Sequence, residues 1–93
     1  MQSLKEIIKE RNVVFVDVRT PQEFNEGHIP SALNIPLDQI MGRMEELEGA
    51  EGPIILYCRS GNRSGMALHI LQAEGFKNLY NGGGIDDLHY LLN

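Results

Sequence analysis

One cysteine, Cys58, stands at the end of the apolar run Ile54, Ile55, Leu56, Tyr57 and is followed by Arg59, Ser60, Gly61, Asn62, Arg63 and Ser64. A single cysteine cannot close an internal disulfide or hold a zinc ion by itself, so Cys58 is either a small buried hydrophobe or a reactive thiol. Its neighbours favour the thiol, because two arginines, a glycine and an asparagine directly after a buried strand are poor core material. They are good material for an anion cradle. The N–H groups of a short loop can converge on one point, and the helix that follows adds its positive N-terminal end. That field also stabilises a thiolate, lowering a pKa that is about 8.5 for a free cysteine. Arg59 and Arg63 supply positive charge to the same loop, and Gly61 supplies backbone freedom for it to curl around the sulfur.

Other residues that could do chemistry read more simply as structure. Asp17 and Arg19 flank the exit of an earlier apolar run, with Glu23 four residues beyond Arg19. They are expected to form a polar network holding that exit, with Arg19 paired to Glu23. His69 and His89 fall off the apolar faces of their predicted helices and should be solvated, while His28 should pack and hydrogen-bond in its loop. Gly82, Gly83 and Gly84 are followed by neither Lys-Ser nor Lys-Thr, so they read as a turn and not a phosphate loop.

The elements that must position Cys58 follow from periodicity. Ser3 can cap a short first helix carrying Leu4, Ile7 and Ile8 and ending near Asn12. Val13 to Val18 suits a strand buried on both faces, and Thr20, Pro21 and Glu23 mark a brief helix closed by Gly27. A very short strand is expected at Ala32 to Asn34. Leu37, Ile40, Met41, Met44 and Leu47 predict one face of an amphipathic helix after Pro36. Ile54 to Tyr57 predicts a second buried strand. A helix beginning near Ser64 should turn Ala67, Leu68 and Leu71 inward and stop at Gly75, with Phe76 packing back. Leu79 and Tyr80 suggest a last short strand, and Ile85, Leu88, Leu91 and Leu92 a closing helix. Strands alternating with helices imply an α/β domain with a parallel sheet, in which ligands bind at the carboxyl ends of the strands.

Composition narrows the function classes. With 93 residues, 42% of them hydrophobic, the chain can bury one modest core, so residues 1–93 are read as a single domain. Eight Lys plus Arg against thirteen Asp plus Glu give a net charge of −5, which argues against binding nucleic acid through phosphate contacts. No apolar run approaches the roughly 20 residues that span a bilayer, and the first eleven residues mix charge into their apolar pattern, so neither a membrane span nor a signal peptide is expected. A lone thiol suits a reducing compartment such as the cytoplasm, and a processed periplasmic protein stays open as the alternative.

Several of these motifs together resemble the rhodanese family. Val16-Asp17-Val18-Arg19, Glu23-Phe24, Gly27-His28-Ile29-Pro30, Ala32 and Asn34-Ile35-Pro36-Leu37 are similar to its amino-terminal signature. Tyr57-Cys58-Arg59-Ser60-Gly61-Asn62-Arg63-Ser64 resembles its active-site loop, and Gly75-Phe76, Asn78 and Gly83-Gly84 follow in order. One departure is plain: Leu88 stands where the family often has a tryptophan. The resemblance implies a three-layer α/β/α fold around a small parallel sheet. It also implies a sulfurtransferase in which Cys58 takes a sulfane sulfur from a small donor such as thiosulfate and passes it to a thiophilic acceptor, a protein acceptor included. Cys58 would be the nucleophile and Arg59, Ser60, Gly61, Asn62 and Arg63 the substrate cradle, with no cofactor and no metal. Two alternatives stand beside this reading. One is a binding or regulatory module of the same fold without turnover. The other is a cysteine-dependent phosphatase or arsenate reductase, whose pattern places five residues between cysteine and arginine where this chain has four.

Overall fold

Every residue of the central strand is buried, and the reason is visible in what covers it. The structure, a computed structural model, describes residues 2–93. Its elements are α1 (Leu4–Ile7), β1 (Val14–Asp17), α2 (Pro21–Asn25), β2 (Leu33–Asn34), two 3-10 helices (Leu37–Gln39 and Met41–Glu46), β3 (Ile54–Cys58), α3 (Asn62–Ala73), β4 (Leu79–Gly84) and α4 (Ile85–Leu92). The four strands lie in the order β2-β1-β3-β4, and every pairing is parallel. Along β3 the side chains alternate between two cores, as the pleat demands. Ile54, Leu56 and Cys58 join Val16, Val18, Ile40, Leu47, Ala67 and Leu71 on the face covered by α3 and the 3-10 segment. Ile55 and Tyr57 join Ile7, Ile8, Ile29 and Leu88 on the face covered by α1 and α4. The result is the expected three-layer α/β/α arrangement.

Local chemistry sets most boundaries. Ser3 and Glu6 form a reciprocal capping box on α1, and Thr20 and Glu23 form another on α2, where Pro21 takes the first helical position. Helix α1 is shorter than its spacing suggests. Ile7 and Ile8 are buried in the core with Leu4 packed beside them, and Asn12, in the left-handed region with φ 62°, turns the chain toward β1 before the helix can continue. At the other end of the fold, Gly75 takes φ 97° and the Phe76 N–H donates to the Leu71 carbonyl, which stops α3 as anticipated.

Two expectations fail for physical reasons. The helix predicted from Leu37 to Leu47 is instead two 3-10 segments, with Arg43 outside helical geometry at φ −125°. Gly42 weakens helix there, and the 3.0-residue turn of a 3-10 helix does not keep i, i+3 and i+4 on one face. Ile40 and Leu47 are buried, whereas Met41 is 57% exposed. Similarly, Gly82 to Gly84 do not form a turn but continue β4 beside β3. The register passes from Leu56 opposite Asn81 to Tyr57 opposite Gly83, so Gly82 is the extra residue of a bulge. Glycine here marks close packing: a Cβ on Gly84 would collide with the Arg59 carbonyl oxygen.

Candidate active site

The strand order places Cys58 where a parallel sheet binds ligands. From β1 the chain goes to β2 on one side and then crosses to β3 on the other, so the carboxyl ends of β1 and β3 flank a topological switch point. Cys58 ends β3 there, 1% exposed. Gly61, at φ 96°, bends the loop back so that its N–H donates to Cys58 Sγ at 3.0 Å, and it is also the N-cap of α3. Helix α3 begins two residues earlier than the sequence suggests, at Asn62, which draws Ser64 into its first turn. The Ser64 hydroxyl lies 3.4 Å from Sγ and donates at 2.7 Å to Asn81 Oδ1. Burial pushes the Cys58 thiol up. The Ser64 hydroxyl and the N–H groups of Ser64, Ser60 and Gly61 together outweigh that and hold it below its ordinary value.

The arginines are placed less freely than their number implies. Arg63 grips Glu23 with both terminal nitrogens, at 2.7 and 3.0 Å, and Arg59 reaches the same carboxylate at 3.3 Å. Glu23 is fixed in turn by the Thr20 cap. The Arg63 fork, followed by that cap, holds the Glu23 carboxyl far below the usual carboxylate range despite some desolvation. The pairing expected between Arg19 and Glu23 is therefore absent. Arg19 instead binds Asp17 through Nε and Nη2, and both residues are buried. Two residues apart on an extended strand exit, they can close a ring that an i,i+4 helical pair could not, because Arg19 precedes α2. Arg19 also donates to the Gly27 carbonyl at 2.7 Å and lies 5.9 Å from the Tyr57 ring centroid, while Tyr57 accepts the Ile29 N–H at 3.0 Å. Asp17 thus serves as the structural network expected of it.

The other candidate residues divide by exposure. Arg59, Ser60 and Asn62 are exposed, Gly61 and Arg63 half-buried, and Cys58 and Ser64 buried. A cleft of about 290 Å³ opens beside Arg63, walled by Val18, Thr20, Pro36, Leu37 and Asp38. Larger hollows lie elsewhere, one of about 660 Å³ beneath Phe15, Ile29 and Leu92, away from the cysteine. His28 stacks on Phe24 with ring centroids 3.7 Å apart and sits 2.9 Å from the Phe24 carbonyl oxygen through Nδ1. His69 is exposed and His89 half-buried. Sequence reasoning overlooked Asn81. It accepts the Gly83 N–H at 2.9 Å and donates to the Gly61 carbonyl at 3.1 Å, tying the bulge of β4 to the cysteine loop. Nothing in the linear pattern marks it, since a polar residue before three glycines looks like a turn.

The chain and its fold have counterparts among known proteins. Residues 1–88 match the family model described as Rhodanese-like domain. The chain belongs to that family. It is 32% identical over 75 residues to the thiosulfate sulfurtransferase PspE of Escherichia coli, covering 80% of this chain and 72% of that one. It is 41% identical over 75 residues to a sulfurtransferase of Allochromatium vinosum, covering 80% and 69%. With the uncharacterized protein YqhL of Bacillus subtilis it shares 42% identity over 71 residues, which is 76% of this chain but 56% of that relative's length. Among solved structures, a rhodanese with anions from E. coli superposes with a TM-score of 0.74 at 32% identity, covering 81% of this chain and 89% of that one. A rhodanese-related protein from Thermoplasma volcanium gives 0.77 at 32%, covering 94% and 84%. Leu88 is fully buried in one cluster with Ile55 and Tyr57 in the α4 core.

Proposed function

We propose that this rhodanese is a sulfurtransferase that carries sulfur as a Cys58 persulfide. The observation that carries the reading is the Gly61 N–H donating to Cys58 Sγ at 3.0 Å, with the Ser64 hydroxyl 3.4 Å from the same sulfur and able to turn its proton to it once the sulfur is anionic. They favour the anionic sulfur over the thiol, which is what a nucleophile needs. The thiolate attacks the sulfane sulfur of thiosulfate, a new S–S bond forms, the donor's S–S bond breaks, and sulfite leaves with the electron pair. An acceptor nucleophile then attacks the terminal sulfur, and Cys58 returns as thiolate. Loop N–H groups and Arg63 offset the negative charge at both stages. The cycle balances without a cofactor. A reducing compartment would keep the lone thiol available.

Loop length supports sulfur over phosphate. Four residues separate Cys58 from Arg63, one fewer than in cysteine-dependent phosphatases, and the donors converge on a single atom. Mass spectrometry of the intact chain after anaerobic exposure to thiosulfate tests the reading. The wild type should gain one sulfur atom and Cys58→Ser none. An unmodified wild-type mass would instead support a binding module of the same fold.

A further inference from the structure

The Ser64 hydroxyl owns one proton and faces two acceptors. Asn81 Oδ1 lies 2.7 Å away and Cys58 Sγ 3.4 Å away. While Cys58 is a thiol the arrangement is complete: the S–H can donate to Ser64 Oγ, and Ser64 can donate to Asn81. Once the thiolate forms, Sγ has no proton to give and becomes the stronger acceptor, because hydrogen bonds to charged groups exceed neutral ones. Asn81 Oδ1 can release the Ser64 proton without being orphaned, since the Gly83 N–H still donates to it at 2.9 Å. The Asn81 amide is itself held by the Gly61 carbonyl at 3.1 Å, so its oxygen keeps facing Ser64. Ser64 is fully buried, whereas Asn81 is exposed and its oxygen can turn to water when the Ser64 proton leaves it.

We propose that Asn81 is a positioning residue for Cys58 that acts through Ser64, holding the Ser64 proton while the cysteine is a thiol and yielding it to sulfur when the thiolate forms. In the persulfide, which rests on the functional reading above, Sγ is again uncharged and the proton returns to Asn81. The bulge at Gly82 makes this possible, because the extra residue sets Asn81 and Gly83 in the register at which both the side-chain oxygen and the next N–H meet. Asn81 therefore competes with the thiolate, and its presence raises the cost of forming it.

Thiolate absorbance titration tests this without requiring turnover, so its outcome is separate from that of sulfur transfer. Asn81→Leu removes the competing acceptor and should lower the Cys58 midpoint by about half a unit to one unit, the size of one net hydrogen bond. Ser64→Ala should raise the midpoint. In the Ser64→Ala background, adding Asn81→Leu should change nothing further. A role confined to bracing the loop would persist in that background. Should Asn81→Leu fail to fold, Asn81→Asp keeps the shape and strengthens the acceptor; it should raise the midpoint, and by less once Ser64 is alanine. A rise with Asn81→Leu, or equal shifts with and without the Ser64 hydroxyl, overturns the proposal.

Discussion

Cys58, Arg63 and Glu23 illustrate how little a residue's charge says until its partner is known. Arg63 reads in the sequence as a free cation for an anionic substrate, yet Glu23 occupies two of its nitrogens and touches Arg59 as well. The thiol's acidity accordingly rests first on hydrogen bonds, which offset the cost of burial. Arg63 still lines the cleft beside the loop. With cyanide as the acceptor, Arg63→Ala should lower thiosulfate-dependent thiocyanate formation roughly a hundredfold, comparable to losing one stabilising donor, with aryl phosphate hydrolysis negligible in both proteins. Unchanged thiocyanate formation in the variant would mean that the N–H donors suffice for the departing sulfite.

At the scale of elements, two buried junctions hold the site in place. Asp17 and Arg19 pair at the end of β1 with side-chain exposures of 0% and 4%, and Arg19 bridges onward to Gly27. Removing one partner leaves the other charge uncompensated, so Asp17→Ala should cost about 3–5 kcal/mol in urea unfolding. A loss below about 1 kcal/mol, the range of exposed pairs, would mean that water reaches Arg19. The second junction is Gly84 against the Arg59 carbonyl. Gly84→Ala should push β4 away from the cysteine loop, destabilising the fold by about 1–3 kcal/mol. A wild-type unfolding midpoint would show that the strand can shift to admit the methyl group.

For the whole molecule, the lowered Cys58 pKa links proton release to folding. A group whose folded pKa lies below its unfolded value stabilises the fold above the unfolded pKa and loses that contribution as pH falls through the folded pKa. Stability attributable to Cys58 should therefore rise between those two values as pH increases, and this increment should be missing from Cys58→Ser. Parallel urea titrations across the window would measure it; an identical slope in both proteins would separate the thiolate from folding. Other charges titrate in common and cancel in the comparison. Among the described residues no helix is long and apolar enough to cross a membrane.

The sequence alone determined the α/β alternation, the two buried strands, the capped starts of α1 and α2, and the family through motifs spread over most of its length. These are local signals: periodicity, caps, and the loop that begins at Cys58. Tertiary structure decided what depends on partners distant in sequence. Glu23 meets Arg63 forty positions away, and Asn81 meets Ser64 across seventeen, because parallel strands bring the carboxyl ends of non-adjacent segments to one edge. The glycines before α4 carry a turn signal in isolation and become strand only when β3 offers a partner. The segment from Leu37 to Leu47 follows the same logic, since its apolar spacing permits an α-helix but Gly42 and the fit of Ile40 and Leu47 beneath the sheet select a tighter coil.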